Sequence, residues 1–383
     1  MVSAPKVKDV EARHQTHQKL EAIDRYFGAW CSILAQARRY PFCPTRLWLI
    51  DTHAGTGLHL SEADPDGQVP GSPLLAVLAA RAAQQRFPEI EVRVRATDRK
   101  KSVAAQLEAA VARFRGSPPG GVDVTVRPVD WIEEIGPLRA EIAQEDHVHG
   151  GRPGRGSGHD HRSLWFVDPF GIESLDHVAI EQFPVGSEVI INLDLMGAKR
   201  HLGKARAGDV DSVRHLDIAF GSNAWRRVPE DERTSDGLAE AFAGSFGTSN
   251  WRIARWHLLR ATGSQDRALV QLTNQEIAAR TFARAVRDAL RAGTVAAGRT
   301  LTLIQKDTAA KRLAAQLAGL TIGIDEMALS GTHDRGQLRA ICSRADEQGY
   351  GGWDAKSGTM QWYLERQSNP TLWVLPDAGE DLR

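Results

Sequence analysis

The sequence predicts an α/β fold in which a parallel sheet carries helices on both faces. Short apolar runs that end in an acidic residue alternate with alanine-rich helical stretches, such as residues 74–86 and 103–115. Alternation of strands and helices implies crossover connections and therefore parallel strands. The first, fourth and fifth runs are almost entirely apolar, which indicates strands covered on both faces. The five runs are residues 46–51, 92–98, 124–130, 164–168 and 189–194.

The composition is that of an ordinary globular protein. The chain has 383 residues, of which 42% are hydrophobic and 25% are charged, and these values exclude a wholly disordered, collagenous or coiled-coil chain. Forty-eight basic and 48 acidic residues give a formal net charge of zero. Because no overall field would attract nucleic acid, such a partner would have to bind at a local basic patch.

The cysteine content and the hydropathy pattern bear on the cellular setting. The three cysteines, Cys31, Cys43 and Cys342, form no CxxC pair. We therefore expect neither a disulfide scaffold nor a metal site built on cysteines, and we expect a reducing cytoplasm. No run of about 18 apolar residues occurs, so we expect no membrane-spanning segment.

Residues 1–44 form a predicted N-terminal helical segment, because apolar side chains recur there at helical spacing and two prolines follow. Residues 45–198 form the predicted core, with a flexible, Gly- and His-rich loop at 147–162. The histidines of this loop have no fixed spacing or carboxylate partner, so a solvated loop is favoured over a metal site. The apolar stripe consists of Leu20, Ile23, Phe27, Trp30 and Leu34, and the loop histidines are His147, His149, His159 and His161.

A basic, partly helical insertion is predicted at residues 199–262. Its beginning carries seven basic and three acidic residues, a local charge of +4. Lys199, Arg200 and Lys204 are the candidates for contact with a polyanion, although a solvated helical insertion is favoured over such a contact. Residues 263–305 are expected to complete the core, and residues 306–383 to form a C-terminal extension.

The strongest local signal is the turn after the first strand, Asp51-Thr-His-Ala54-Gly55-Thr-Gly57. Glycine is required where the backbone approaches a ligand closely or adopts a positive φ. The turn lacks both GxGxxG and GxxxxGK[ST], so the dinucleotide fingerprint is incomplete and a P-loop is excluded. Asp98 and Asp130 end the next two runs. An acid after the second strand commonly binds ribose hydroxyls, so the acids at the first three strand ends would bind the amino, ribose and base groups of a ligand in turn. An adenosine-bearing ligand without pyrophosphate fits best, and the sulfonium of S-adenosylmethionine would be favoured by carboxylates.

The fourth strand ends in Phe166-Val-Asp168-Pro169-Phe170-Gly171. This element looks like the Asp-Pro-Pro-aromatic motif of methyltransferases that modify exocyclic amines of bases, with Phe170 in place of the second proline. In that motif a side-chain oxygen and a backbone carbonyl hold the amine while an aromatic ring stacks on the base. A plain strand-to-loop turn is the alternative, because Pro after Asp commonly opens turns.

Taken together, these elements resemble the three-Cys-motif partner protein family, TcmP, over roughly residues 15–195. The resemblance implies a Rossmann-like class I methyltransferase sheet and S-adenosylmethionine as cofactor. It rests on the N-terminal helix, the IDTHAGTG turn, the Gly71-Ser72-Pro73 helix start and the FVDPFG element. The residues predicted to bind the cofactor are Asp51, His53, Ala54, Gly55, Gly57, Ser72, Asp98 and Asp130, and those predicted for catalysis are Asp168, Pro169 and Phe170.

Ser72 has a second expected role at the start of a helix. Its hydroxyl is expected to cap a helix whose first residue is Pro73, since proline lacks only an N–H that has no helical partner there. Such a helix start, placed beside the glycine turn, could present backbone N–H groups to the cofactor carboxylate. A plain capped helix without a ligand is the equally weighted alternative.

Three functions are therefore compared. The favoured one is a methyltransferase that acts on an amino nitrogen, with a nucleic-acid base as the leading acceptor. The second is a catalytically inactive partner or binding module on a methyltransferase fold, with a protein partner, because fold does not fix function. The third, a nicotinamide-dependent oxidoreductase, is disfavoured by the short glycine turn.

Overall fold

In a computed structural model of the chain, the described residues fall into several stretches. The large N-terminal part is described at 11–12, 14–37, 46–61, 68–114, 121–148, 161–221, 224–228, 235–246, 250–259 and 267–295. The C-terminal part is described at 321–323, 339, 341–343, 345, 351–354 and 359–362. The chain splits into two compact units. The larger comprises Val10–His59 and Pro70–Thr294, and the smaller comprises Met1–Asp9, Leu60–Val69 and Val295–Arg383.

The larger unit is built on a seven-stranded sheet. Its strands in chain order are β1 (Arg46–Asp51), β2 (Glu91–Thr97), β3 (Asp123–Arg127), β4 (His161–Val167), β5 (Glu188–Asp194), β6 (Ile253–Leu259) and β7 (Arg267–Thr273). The order across the sheet is β3-β2-β1-β4-β5-β7-β6. Strands β1 to β5 pair in parallel, as the sequence predicts, whereas β7 runs antiparallel to both β5 and β6.

This strand order confirms a Rossmann-like class I methyltransferase sheet. The chain builds outward from β1 to β3 and then returns to the other side of β1 with β4, so the order reverses between β1 and β4. In open α/β sheets the crevice at such a reversal, outside the carboxyl ends of the strands, is where ligands bind. The antiparallel β7 between β5 and β6 makes the sheet mixed, whereas β1 to β5 are all parallel.

Helices cover both faces of the sheet. They are α1 (His14–Ala37), α2 (Ser72–Arg86), α3 (Lys101–Phe114), α4 (Trp131–Val148), α5 (His177–Glu181), α6 (Leu195–Arg206), α7 (Val210–Phe220), α8 (Ser235–Ser245) and α9 (Glu276–Val295). Short 3-10 turns form at Ile172–Ser174 and Ala224–Arg227, and short strands at Glu11–Ala12, Leu58–Ser61 and Gln68–Pro70. Within the described part of the chain, no helix combines the length and the apolarity needed to cross a membrane.

The central strand shows why the sheet is buried on both sides. Alternate residues of a strand point to opposite faces, and in β1 both alternating sets are buried. Trp48 and Ile50 belong to a core cluster that includes Trp131 of α4, while Leu47 and Leu49 are also buried. The predicted coverage of this strand on both faces is therefore confirmed.

The predicted N-terminal helix is confirmed as α1, which packs against α2. Its apolar stripe faces the protein, with Leu20, Ile23, Phe27 and Trp30 buried. A buried polar network also binds α1 to the sheet. Tyr26 Oη donates to Glu188 Oε2 at 2.5 Å and accepts from Gln271 Nε2 at 2.9 Å, and Trp30 Nε1 donates to Glu188 Oε1 at 3.1 Å.

The smaller unit contains a three-stranded antiparallel sheet. Its middle strand is Thr359–Trp362, flanked by Thr321–Gly323 and Gly351–Asp354. These strands lie within the predicted C-terminal extension. Most of the Gly- and His-rich loop, residues 149–160, lies outside the described residues, as do residues 363–383 of the predicted C-terminal extension.

Candidate functional site

The turn after β1 is fixed to the two strands that flank it. The backbone N–H of Thr52 donates to the carbonyl of Phe166 at 3.0 Å, and the N–H of Ala54 donates to the carbonyl of Thr97 at 3.0 Å. Since β4 and β2 lie on either side of β1, these bonds hold the turn directly over the point where the strand order reverses. The predicted ligand turn therefore occupies the expected edge of the sheet.

Two glycines of this turn have backbone conformations with positive φ, which are unfavourable for residues that carry a side chain. Gly55 has a φ of 58° and Gly57 a φ of 78°. A Cβ on Gly57 would also lie 2.6 Å from Leu107 Cδ1. The N–H of Gly71 donates to the carbonyl of Gly57 at 2.7 Å, so the turn is bonded to the residue before α2. The glycine turn and the Gly71-Ser72-Pro73 helix start are thus brought together.

Ser72 differs from its expected role as a helix cap. Helix α2 begins at Ser72, and Gly71, with extended backbone, occupies the cap position without a side-chain hydrogen bond. The hydroxyl of the buried Ser72 instead hydrogen-bonds the carboxyl of Asp51. The sequence suggested a cap because Ser is a common cap residue, but the helix starts one residue earlier and leaves that hydroxyl for the end of β1.

Asp51 is a buried carboxyl group whose hydrogen bonding is incomplete. Its side chain is 1% exposed, and Oδ1 accepts from the N–H of His53 at 3.1 Å. Oδ2 has no hydrogen-bond partner among the described residues. Burial, followed by the nearby charge of Asp168, raises the pKa of Asp51 to about 7, against the opposing hydrogen bonds from Ser72 and His53. A donor or a cation that reached Oδ2 would favour its ionised form.

His53 stands among the predicted acidic residues. Its Nδ1 lies 2.8 Å from Thr52 Oγ1. Burial lowers the pKa of His53 to about 4, although the charges of Asp168, Asp130 and Asp98 oppose this shift. The imidazole is therefore neutral at physiological pH, and the carboxylates that follow β2, β3 and β4 all act on the same ring. The sequence-predicted acids are brought to one place.

Asp98 and Asp130 also shape the helices that follow them. Asp98 Oδ1 accepts from the N–H of Lys100 at 2.9 Å, just before α3. Asp130 Oδ1 accepts from the N–H of Ile132 at 3.1 Å, in the first turn of α4. Both are side-chain turns of the kind that Asp favours at helix starts. These bonds fix the two carboxyl groups at the edge of the sheet.

Asp168 is held by two side chains that the sequence analysis missed. Lys19 Nζ donates to Oδ2 at 2.5 Å, and Asn192 Nδ2 donates to Oδ1 at 2.5 Å. Burial acts to raise the pKa of Asp168, but the charge and hydrogen bond of Lys19 and the hydrogen bond of Asn192 outweigh it, so the net shift is downward. Asp168 is thus an ionised, immobilised carboxylate. Helical spacing could have indicated that Lys19 faces the protein interior. It lies four residues before Ile23 and seven before Tyr26, which are both buried, and so is on the same face of the helix.

Pro169 and Phe170 follow Asp168 in contrasting environments. Pro169 is buried, whereas Phe170 is 78% exposed. The next residue, Gly171, lies under a carboxylate, because a Cβ there would be 2.2 Å from Glu173 Oε2. The Phe170 side chain is therefore exposed to solvent, whereas the backbone of the next residue, Gly171, packs against the Glu173 side chain.

Helices α6 and α7 hold that loop through Glu173. His201 Nε2 lies 3.0 Å from Glu173 Oε1, and His201 Nδ1 lies 3.0 Å from Ser212 Oγ. Ser212 Oγ in turn donates to Asp209 Oδ2 at 2.6 Å. The contacts of His201 join separate elements of the chain, and no local pattern predicts them.

The three residues predicted to contact nucleic acid all lie on α6, but their surroundings differ. Lys199 Nζ donates to Ser235 Oγ of α8 at 2.7 Å. Arg200 and Lys204 are exposed and lie four residues apart, so they share one face of the helix. The structure therefore groups Arg200 with Lys204 and directs Lys199 toward α8. Among the described residues, no group of three His, Cys, Asp or Glu side chains is placed to hold a metal ion.

Comparisons with known proteins find similar structures but no matching family. No protein-family model matches the sequence, and no curated protein matches it. Among solved structures, the chain is similar to LepI in complex with SAM, with 14% identity, a TM-score of 0.22 and coverage of 59% of this chain and 42% of that chain. It is also similar to the plantazolicin methyltransferase BamL in complex with a triazolic desmethylPZN analog and SAH, with 12% identity, a TM-score of 0.26 and coverage of 76% and 84%.

A third similar structure is PKMT2 from Rickettsia typhi, with 6% identity, a TM-score of 0.26 and coverage of 65% of this chain and 52% of that chain. The chain thus spans less than half of the LepI structure and about half of PKMT2. Similarity at this level carries no argument about chemistry, and the fold assignment rests on the order and direction of the strands.

Proposed function

We propose that this protein is an S-adenosylmethionine-dependent methyltransferase. The observation that carries the proposal is Oδ2 of Asp51, a buried acceptor without a partner among the described residues, at the end of β1 in a sheet of methyltransferase topology. A buried carboxylate oxygen that lacks a donor is costly, and a ligand that supplies an N–H group or a cation removes that cost. The amino group of S-adenosylmethionine would be such a donor.

The surrounding residues also fit this cofactor. Ala54, Gly55 and Gly57 form a side-chain-poor turn that a ligand can approach closely, and Ser72 fixes the carboxyl group of Asp51. Asp98 follows β2, where an acid commonly binds ribose hydroxyls, and Asp130 follows β3 as a candidate acceptor for an adenine amine. His53 is neutral, so it adds no positive charge that would oppose a sulfonium.

When bound, S-adenosylmethionine supplies a methyl group on a positively charged sulfur. In such a transfer, positioning and desolvation provide most of the acceleration, so the task of this chain is to orient the acceptor and exclude water. Asp168 remains ionised, and its oxygens keep lone pairs beyond those used by Lys19 and Asn192. The carboxylate would accept a hydrogen bond from the acceptor and direct its nucleophilic atom.

The acceptor that we propose is an amino nitrogen of a nucleic-acid base. The support for it is the Asp168-Pro169-Phe170 element, whose aromatic ring is free of packing on most of its surface and could stack on a base. Arg200 and Lys204 supply exposed positive charge on the helix that follows β5. We also propose that the protein is related to the TcmP family, has a protein partner and is located in the cytoplasm.

A second candidate is a catalytically inactive partner or binding module. The observation that favours it is that both oxygens of Asp168 are already engaged, by Lys19 and by Asn192. An acceptor amine would have to share a carboxylate with internal donors. In this case cofactor binding would be retained while methyl transfer would be lost.

Titration calorimetry with S-adenosylmethionine and with S-adenosylhomocysteine tests the cofactor. We expect micromolar binding, with loss of affinity in Asp51→Asn. Asp217→Asn serves as the matched control, because Asp217 is a hydrogen-bonded carboxylate of α7 that binds Trp225 and Arg226. Absence of binding at millimolar concentration of either ligand would overturn the proposal.

Radiolabelled methyl transfer to RNA, DNA and protein fractions then separates the two candidates. Incorporation into nucleic acid that is lost in Asp168→Asn and reduced in Phe170→Ala, with cofactor binding retained in both variants, supports the enzyme. Binding of the cofactor without transfer to any fraction supports the inactive module. Transfer to protein alone would contradict the nucleic-acid acceptor.

A further inference from the structure

A buried ammonium group lies among the carboxylates of the proposed cofactor site. Lys19 comes from α1, outside the sheet, and its side chain is only 10% exposed. Its ammonium binds Asp168 Oδ2. Since that carboxylate follows β4 and Asp51 ends the neighbouring β1, the ammonium lies at the point where the strand order reverses.

The charge of Lys19 also acts on Asp51. The pKa of Asp51 is raised by burial first and by the charge of Asp168, and the charge of Lys19 acts in the opposite direction. Other charges face the same edge, namely Asp98, Asp130 and Arg99 around His53 and Arg267 near Asp168. Arg99 is exposed, so its field is screened more strongly than that of the buried Lys19.

The two forms of the proposed cofactor differ by one unit of charge. S-adenosylmethionine carries a sulfonium, whereas S-adenosylhomocysteine carries a neutral thioether, and the remaining groups are the same. In a buried site an additional charge interacts strongly with its neighbours, because the effective dielectric constant is far below that of water. The net charge contributed by Lys19, Asp51 and Asp168 therefore determines how differently the two forms bind.

We propose that Lys19 is a specificity-determining residue that limits the preference of the site for S-adenosylmethionine over S-adenosylhomocysteine. The inference rests on the proposed function. By neutralising Asp168, Lys19 leaves Asp51 as the carboxylate that favours a cation at the end of β1. Without Lys19, two neighbouring carboxylates would face the sulfonium. The site would then bind the cationic S-adenosylmethionine more strongly relative to the neutral S-adenosylhomocysteine.

A double-mutant cycle tests this charge arrangement. The measured quantity is the ratio of the dissociation constants for S-adenosylhomocysteine and S-adenosylmethionine, determined by calorimetry. We expect Lys19→Met to raise the ratio roughly tenfold, which corresponds to about 1.4 kcal/mol. Asp168→Asn should lower it, because Lys19 is then left uncompensated, and the double variant should return to within about twofold of the wild type.

Two controls separate charge from general damage to the site. Lys19→Arg keeps the positive charge and should leave the ratio unchanged. Lys101→Met removes an exposed lysine at the start of α3 and should also leave it unchanged. If Lys19→Met does not fold, the lowered ratio expected for Asp168→Asn tests the same arrangement.

The outcomes distinguish this inference from the proposed function. Wild-type protein that binds neither ligand overturns both. Wild-type protein that binds both ligands, together with a ratio that stays within twofold in folded Lys19→Met and in Asp168→Asn, overturns the inference alone.

Discussion

Lys19 and Asp168 are 149 residues apart in sequence, yet the ammonium of one lies 2.5 Å from the carboxylate of the other. One residue belongs to the helix that precedes the sheet, and the other follows the fourth strand of the sheet. The proposed acceptor corner is therefore complete only when α1 is packed in place. Its electrostatics are a property of the tertiary structure and not of the Asp-Pro-Phe-Gly element alone.

Asp51→Asn should stabilise the protein at alkaline pH. The pKa of Asp51 in the folded state is about 7, well above the ordinary value of about 4. Between these values the folded state binds more protons than the unfolded state, so the wild type loses stability as the pH rises from about 4 to 7. Asn cannot ionise, so we expect the stability of the Asn variant relative to the wild type to increase by about 4 kcal/mol between pH 4 and pH 8, about 1.4 kcal/mol for each of three pKa units.

Urea unfolding of both proteins at pH 4.5 and at pH 8 measures this effect. The difference between the variant and the wild type should shrink toward the lower pH, where Asp51 is protonated in the folded protein. A difference that does not change with pH would contradict the assigned protonation of Asp51. The same variant should lose cofactor affinity, which would separate stability from binding at this position.

Gly55→Ala and Gly57→Ala form a matched pair within one turn. Both glycines have positive φ, which costs roughly 1–2 kcal/mol for other residues. At Gly55 an added Cβ meets no atom of the described residues within 4 Å, whereas at Gly57 it lies 2.6 Å from Leu107 Cδ1. Leu107 is fully buried, so Gly57→Ala should lose about 1 kcal/mol more than Gly55→Ala in urea unfolding. Equal losses would mean that α3 yields to the extra methyl group.

Tyr26→Phe should destabilise the protein by about 1–3 kcal/mol. The substitution removes a buried donor to Glu188 and one of the two acceptors of Gln271 Nε2, the other being the carbonyl of Ala278. Burial raises the pKa of Glu188 while its hydrogen bonds, first that of Tyr26, oppose the shift, so the carboxyl group depends on this partner. A cycle with Glu188→Gln, followed by urea unfolding, should give a coupling of about 1 kcal/mol or more. Additive losses would show that the two side chains act independently.

Reversing the exposed charges of α6 should weaken nucleic-acid binding. Arg200→Glu combined with Lys204→Glu should lower the affinity and flatten its dependence on salt, because fewer phosphate counterions are released. Arg280→Glu with Arg284→Glu is the matched control, since these residues are 66% and 60% exposed and also four residues apart. Fluorescence anisotropy with a labelled oligonucleotide at several salt concentrations measures both pairs. Equal effects of the two pairs would point to net charge and not to a surface on α6.

Periodicity and strand-end chemistry predicted much of the sheet. The five apolar runs became β1 to β5, because short apolar segments between helices have few other places in an α/β fold. Their parallel direction also placed Asp51, Asp98, Asp130 and Asp168 at one edge, since the carboxyl ends of parallel strands meet there. The direction and position of β7 could not be predicted, because they follow from pairing with β5 and β6 and not from any local pattern.

The contacts that the sequence missed depend on distant elements. Asn192 lies inside an apolar run, and its partner, Asp168, is on the neighbouring strand's following turn. His201 contacts Glu173 and Ser212 only because α6 packs beside the loop that follows β4. Local preference predicted that Ser72 caps the helix. In the structure Gly71, with extended backbone, occupies the cap position and the helix begins at Ser72, whose hydroxyl hydrogen-bonds Asp51. In each case the contact depends on three-dimensional packing that local sequence does not specify.

The position of Tyr26 on α1 has a consequence for the ammonium two turns earlier. Lys19 and Tyr26 are seven residues apart and so lie along one side of the helix, and Tyr26 is bonded to groups on both β5 and β7. A slide or rotation of the helix would break those buried bonds before it could withdraw the charge. The ammonium of Lys19 is therefore held in place by the packing of the folded protein. A nucleoside that binds at this edge would meet a positive charge in a fixed position, and the selectivity of the site between ligands would follow from that position.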